Sequence, residues 1–185
     1  MFEIQQLVDS CRAALGEHSP AATVRDVVRE AISDPVAVQA IFGEPARAEV
    51  ATLHQAPDLT VLHIVWGPGM AIYPHDHRMW AVIGVFGGQE DNTFFKRSAS
   101  GLDLAGAKEL GERDAVVLGA EVIHAVANPS ARRFTSAIHV YGGDFFAQSR
   151  SEWDPQTLTE RPYQVEQLHA LFAEVNERIE AERGG

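Results

Sequence analysis

Residues 67–88 read GPGMAIYPHDHRMWAVIGVFGG. The stretch opens on a Gly-Pro-Gly turn and closes on Gly87-Gly88, and the run between them is apolar with strand periodicity. In a strand, residues i and i+2 point to one face, so His75 and His77 converge. That face continues with Met79, Ala81, Ile83 and Val85. The pattern predicts a strand over 77–86 with both histidines at the end of an apolar wall. Further out, residues 48–146 are rich in Val, Ile, Thr, Phe and Trp and are broken by Gly101, Gly111, Gly119, Asn128-Pro129 and Gly142-Gly143. Strands are expected near 48–54, 59–66, 70–73, 77–86, 90–97, 102–109, 113–118, 122–127 and 133–141, the density of a double-sheet jelly roll or small barrel.

The flanks read as helices. Phe2, Leu7, Cys11, Ala14 and Leu15 fall at helical spacing before Gly16, and Thr23 to Asp26 reads as the start of a second helix reaching about Ser33. Pro35 suits the first turn of a short third helix that Gly43 ends. A last helix is expected from about Tyr163 to Ala181, with Val165, Leu168, Leu171, Phe172 and Val175 as its apolar stripe. With no repeat and no linker, 1–185 reads as a single domain: a helical segment over 1–45, a barrel over 46–146 and an extension over 147–185.

Composition narrows the partners. At 45% hydrophobic and 22% charged, the 185 residues suit one globular core. A net charge of −11 repels phosphate backbones and anionic membranes, so neither nucleic acid nor a membrane is expected. No apolar run approaches the roughly 18 residues of a membrane span. The one cysteine, Cys11, cannot form an internal disulfide, and the N-terminus lacks the pattern of a secretory signal, so a cytoplasmic location is expected. A monomer or homodimer is compatible with this surface.

His124 follows His77 by 47 residues, far enough to return across a β-sandwich as a third ligand. Three imidazoles suit Fe, Zn, Cu or Ni better than Mg or Ca; a lone buried histidine can equally serve as a core hydrogen-bonder. His139 and Tyr141 share a strand face with Thr135 and Ala137, which looks inward if something there needs hydrogen bonds and outward if not. Glu90 and Asn92 lie on the strand after Gly88, placed either to reach a metal or substrate or to be solvated in a hairpin. His18, His54 and His169 read as surface residues, and His63 as packed on a strand.

Gly69-x5-His75-x-His77-x10-Gly88 and Gly119-x4-His124-x3-Asn128 resemble the two cupin motifs, the second in degenerate form. Within the cupins the chain is similar to the cysteine dioxygenase-like thiol dioxygenases, which place a Trp nine residues before the His-x-His, like Trp66, and a His-x-Tyr fifteen residues after the third histidine, like His139-Val140-Tyr141. The resemblance covers about residues 60–146. It implies a mainly β double-stranded β-helix with helices at both ends, Fe(II) on His75, His77 and His124, Tyr141 as proton donor and His139 as the residue that orients it. Where four-ligand cupins carry a Glu, Ala81 or Val82 stands, so a three-histidine site is implied. Three neutral imidazoles leave the metal's charge uncompensated, which favours an anionic substrate.

The chain also departs from that family. Ala137 replaces the serine of a Ser-His-Tyr relay, and no cysteine lies near enough for a Cys-Tyr crosslink. The arginine that grips the cysteine carboxylate would fall near Glu49-Val50-Ala51, with Arg47 out of register, so L-cysteine is not expected as substrate. Arg78 or Arg97 is a candidate replacement cation, unless solvated, and Trp66, Met79, Glu90 and Asn92 are the other expected substrate contacts. The expected activity is Fe(II)-dependent oxidation of a small thiol by O2 to a sulfinate. The alternatives are a carbon-carbon-cleaving dioxygenase, an isomerase, or a non-catalytic metal- or ligand-sensing cupin.

Overall fold

The computed structural model describes residues 2–99 and 101–184. Three helices come first, α1 (Ile4–Ala14), α2 (Pro20–Ala31) and α3 (Pro35–Phe42). The strands described after them are β1 (Glu49–Ala56), β2 (Leu59–Trp66), β3 (Ala71–Asp76), β4 (Ala81–Gly87), β5 (Glu90–Ser98), β6 (Gly101–Leu110), β7 (Ala115–Leu118), β8 (Ile123–Ala127), β9 (Thr135–Tyr141), β10 (Ser151–Trp153) and β11 (Glu160–Pro162). Helix α4 (Val165–Gly184) follows. No described helix is long and apolar enough to cross a membrane.

Strands β1-β2-β9-β4-β7 form one antiparallel sheet, and β11-β10-β3-β8-β5-β6 form the other. From β2 to β9 the chain changes sheet at every step except the β5–β6 hairpin, which is the winding of a double-stranded β-helix. Strands β2 and β9 are buried along their whole lengths because both of their faces are covered. Leu62, Ile64, Trp66, Ala137 and Tyr141 pack between the sheets with Ala81, Ile83 and Val85. Leu59, Val61, Ile138 and Val140 face the other way, under Val24, Val28 and Ile32 of the N-terminal helical segment.

The helices hold these faces by close approach. Asp34 caps α3 by accepting from the Ala37 N–H at 3.2 Å, and Pro35 takes its first turn. Helix α2 starts at Pro20, three residues before the expected Thr23, because proline is pre-organised for a first helical turn. Helix α4 lies across the open end of the barrel, where Asn176 brackets Ala48, accepting from its N–H at 2.7 Å and donating to its carbonyl at 2.9 Å. Phe172, Val175 and Ile179 of α4 join the inner core, whereas Val165 of the expected stripe is 38% exposed.

One strand boundary moves the site. The expected strand over 77–86 begins only at Ala81, and His75 belongs to the preceding strand, β3, in the opposite sheet. Arg78 adopts φ 56, a left-handed turn that breaks the chain between the histidines and β4. The apolar wall of Met79, Ala81, Ile83 and Val85 therefore lines the core without carrying the histidines on its own strand. Strands β10 and β11, absent from the sequence reading, extend the six-stranded sheet beyond β3, with Glu152 opposite His75.

Gly84 marks where α2 meets β4: a Cβ there would lie 2.3 Å from Val28 Cγ1. Gly84→Ala should therefore destabilise the fold by about 1–3 kcal/mol through overpacking. Gly16→Ala, whose Cβ would meet only an ordinary contact at 3.6 Å, should shift stability by less than about 0.5 kcal/mol. Urea denaturation of both variants checks the pair.

Candidate metal centre

Cross-strand pairing brings the histidines together. His75 on β3 lies directly opposite His124 on β8, so both side chains rise from one face of the six-stranded sheet. The β3–β8 register shifts between Ile72 and His75, a stretch containing Pro74, which has no N–H for the ladder. His77 follows one residue beyond β3 and turns to the same point. The nitrogens of His75, His77 and His124 lie within 4.8 Å of one another, and all three residues are buried.

Hydrogen bonds fix the tautomers. His75 Nδ1 lies 2.9 Å from the Tyr73 carbonyl, which can only accept, so Nδ1 carries the proton and Nε2 the lone pair. His124 Nδ1 lies 2.7 Å from Asn92 Oδ1 and donates to it, which frees its Nε2 likewise. His77 Nε2 stands 3.2 Å from the first of these Nε2 atoms and 3.3 Å from the second, and a neutral His77 has a proton for only one of them. A cation satisfies all three nitrogens, so the donor set fits a borderline transition metal. Burial, opposed by the Tyr73 bond and reinforced by the charge of Arg150, lowers His75 to about 4. Burial and the neighbouring imidazoles hold His77 and His124 well below the ordinary histidine value. All three are neutral, as metal binding requires.

Behind the cluster stands Glu90, fully buried. Its Oε2 accepts from Trp66 Nε1–H at 2.7 Å and from His139 Nε2–H at 3.2 Å, and its Oε1 accepts from Asn92 Nδ2–H at 3.1 Å. Burial pushes this carboxyl up, but His139 and the three donated bonds outweigh it and hold it below the ordinary carboxylate value. With its Nε2 turned to Glu90, His139 presents Nδ1 to the Tyr141 hydroxyl, 3.2 Å away. Burial raises the Tyr141 phenol far above its usual value, so it stays protonated. The Tyr141 ring meets His77 edge-on at 5.1 Å and packs on Phe145 at 4.2 Å. Thr60 holds the Phe145 loop by accepting from the Phe145 N–H and donating to the Gly143 carbonyl.

A cavity of about 420 Å3 opens onto the three histidines, His139 and Tyr141, walled by Leu62, Ile64, Trp66, Phe145 and Phe172. Arg150 lines it too. This residue is 9% exposed, and its guanidinium is sandwiched between the Phe145 and Tyr163 rings at 4.0 and 4.1 Å. It donates to the Phe145 carbonyl, its Nε–H has no partner, and among the described residues no carboxylate pairs with it. A larger groove of about 610 Å3 lies among the N-terminal helices, away from these groups.

The remaining expected contacts fall elsewhere. Arg78 and Arg97 are not in the cavity: they bind buried Asp76 and Glu160, and Arg97 lies over the Trp153 ring. Glu90 and Asn92 lie behind the ligands and do not wall the cavity, because their polar atoms are taken by His139, Trp66 and His124. Met79 is buried in the inner core, outside the cavity wall, and Trp66 is in it. Arg47 and His169, both exposed, line the cavity mouth. His63 is buried against Phe42 at 4.1 Å, with burial lowering it to about 4. His54, expected at the surface, is half-buried, with its Nε2 enclosed and without a partner. Arg150 and the Glu90–His139 bond escaped the sequence reading. The first depends on β10 docking beside β3, and the second joins residues 49 positions apart on facing sheets.

No family model matches the chain. Among solved structures it is similar to an RmlC-like cupin with a double-stranded β-helix fold from Methanocaldococcus jannaschii, at 14% identity and a TM-score of 0.46 over 55% of this chain and 85% of that one. A cupin superfamily protein from Desulfitobacterium hafniense matches at 17% identity and 0.45, over 57% and 87%. An oxalate oxidase in complex with the substrate analogue glycolate matches at 15% identity and 0.43, over 54% and 52%.

The purified protein should hold close to one first-row metal per chain, and His75→Ala, His77→Ala or His124→Ala should each lose it. Elemental analysis checks this. Stoichiometric metal in His124→Ala would contradict the third ligand.

Proposed function

We propose that the chain is an Fe(II)-dependent dioxygenase that adds both atoms of O2 to the sulfur of a small thiol bearing a carboxylate. One observation carries the reading: a buried guanidinium without a carboxylate partner shares one cavity with three neutral imidazoles and a protonated tyrosine. A buried cation is costly unless paired, so Arg150 favours an anionic group on whatever enters. This revises the reason for disfavouring L-cysteine. Its carboxylate would find Arg150, but the one acidic side chain lining the cavity is exposed Glu49, which leaves an inner ammonium without a counter-charge. A mercapto-carboxylate without an amino group fits better.

The reaction RS− + O2 → RSO2− breaks the O–O bond, forms two S–O bonds and oxidises sulfur by four electrons without an outside reductant. Iron(II) on His75, His77 and His124 would supply the one-electron chemistry by which dioxygen reacts with a thiolate. The protein's share is positioning. Arg150 holds the carboxylate end and aims the sulfur at the histidines, while Trp66, Phe145 and Phe172 keep the cavity apolar. Tyr141 keeps a proton on its hydroxyl oxygen beside His77, and His139, oriented by Glu90, sets where that oxygen points. Ala137 leaves the serine's place in the Ser-His-Tyr relay of the resemblance empty, and Glu90 from β5 takes that third place beside His139.

Oxygen uptake with product analysis over a panel of thiols tests the activity. The expected result is a sulfinate, with the highest kcat/KM for a mercapto-carboxylate, a lower one for L-cysteine and the lowest for an aminothiol. Arg150→Met should lower kcat/KM for the best substrate by the equivalent of about 2–5 kcal/mol. The reading fails if no thiol yields a sulfinate.

Tyr141→Phe should retain metal yet slow turnover by about 10- to 1000-fold. His139→Gln should cost less, and the double variant should be little worse than Tyr141→Phe, because the two act as a unit. Losses that multiply in steady-state kinetics would show the pair to be independent.

A further inference from the structure

Glu90 joins two hydrogen-bond branches behind the cavity, and the groups that bond to its carboxylate are all donors. We propose that Glu90, acting through Asn92, is a positioning residue that sets the tautomer of His124 and so decides whether His124 Nε2 can bind a metal. The inference rests on the three-histidine centre and is independent of the substrate.

The argument is one of counting protons. The indole of Trp66 can only donate, so the atom of residue 90 beside it must accept. Glu90 Oε1 is likewise an acceptor and turns the Asn92 amide nitrogen toward itself at 3.1 Å. Asn92 Oδ1 therefore faces His124 Nδ1 at 2.7 Å. An oxygen at that place selects the imidazole protonated on Nδ1, whose lone pair lies on Nε2, 3.3 Å from His77 Nε2. Glu90, Asn92 and His124 are each at most 1% exposed, so bulk solvent cannot replace a lost partner.

Glu90→Gln preserves size but carries one NH2. Its oxygen must stay beside Trp66 and His139, so the NH2 turns toward the Asn92 NH2. Asn92 relieves that clash by rotating its amide, which presents N–H to His124 Nδ1. His124 then takes the other tautomer, with a proton on Nε2 where the metal would bind. Adding Asn92→Asp reverses the sequence: one carboxylate oxygen accepts from the new amide and the other from His124 Nδ1–H, at the same total charge.

Zinc affinity of the 185-residue chain, measured by chelator competition, tests this without thiol or O2. Glu90→Gln should weaken zinc by about 10- to 100-fold. The Glu90→Gln/Asn92→Asp double variant should return to within a few-fold of wild type, a rescue that loss of packing alone would not give. Wild-type affinity in Glu90→Gln, or a double variant no tighter than the single one, would overturn the proposal. So would long-range 1H–15N correlations from the zinc-loaded wild-type protein, which needs no variant to fold, if they placed the His124 proton on Nε2 rather than Nδ1.

Discussion

Two imidazole nitrogens that both carry lone pairs face a third at 3.2 and 3.3 Å, and a neutral third ring has a proton for only one of them. The rest of the molecule follows from that constraint. The three rings must be neutral, which burial ensures, and the outer nitrogens of His75 and His124 must be protonated, which the Tyr73 carbonyl and Asn92 ensure. A group that holds an imidazole by its far nitrogen fixes which nitrogen is free to act as a ligand.

The fold divides this work between its sheets. The six-stranded sheet carries the metal-facing histidines, with His75 and His124 in direct register. The five-stranded sheet carries His139 and Tyr141 on its central strand, flanked by Leu62 and Ile83. Glu90 crosses between them, bonding to Asn92 beside it on one sheet and to Trp66 and His139 on the other. Helices α1 to α3 stay on the far side of the five-stranded sheet, so they support the site without entering it. Helix α4 and the β10–β11 hairpin do the opposite: they bring Phe172, Arg150 and Tyr163 over the open end, so the histidine cluster faces a cavity with a guanidinium in its wall.

Local pattern carried much of this into the sequence. Alternation and glycine punctuation revealed the barrel strands to within a few residues, and the His-x-His together with His124 pointed at the cluster. The strand expected near 70–73 stopped short of His75 because Pro74 reads as a break, yet β3 runs on to Asp76 before the left-handed turn at Arg78. Arg150 was illegible for a different reason. Nothing near it in sequence marks it as buried, and its place depends on Glu152 pairing with His75, a contact between residues 77 positions apart. The basic side chains that did lie near the motif, Arg78 and Arg97, were drawn to Asp76 and Glu160 instead. Proximity in sequence to the His-x-His motif therefore says little about which cation lines the cavity.

The central claim is that three neutral imidazoles hold one metal at the end of a cavity that admits an anionic thiol. X-ray absorption by the iron(II)-loaded protein, before and after anaerobic addition of a mercapto-carboxylate, tests it most directly. The account predicts a first shell with three imidazole nitrogens that gains a sulfur when the thiol is added. A shell without three imidazoles, or one that gains no sulfur at saturating thiol, would contradict it.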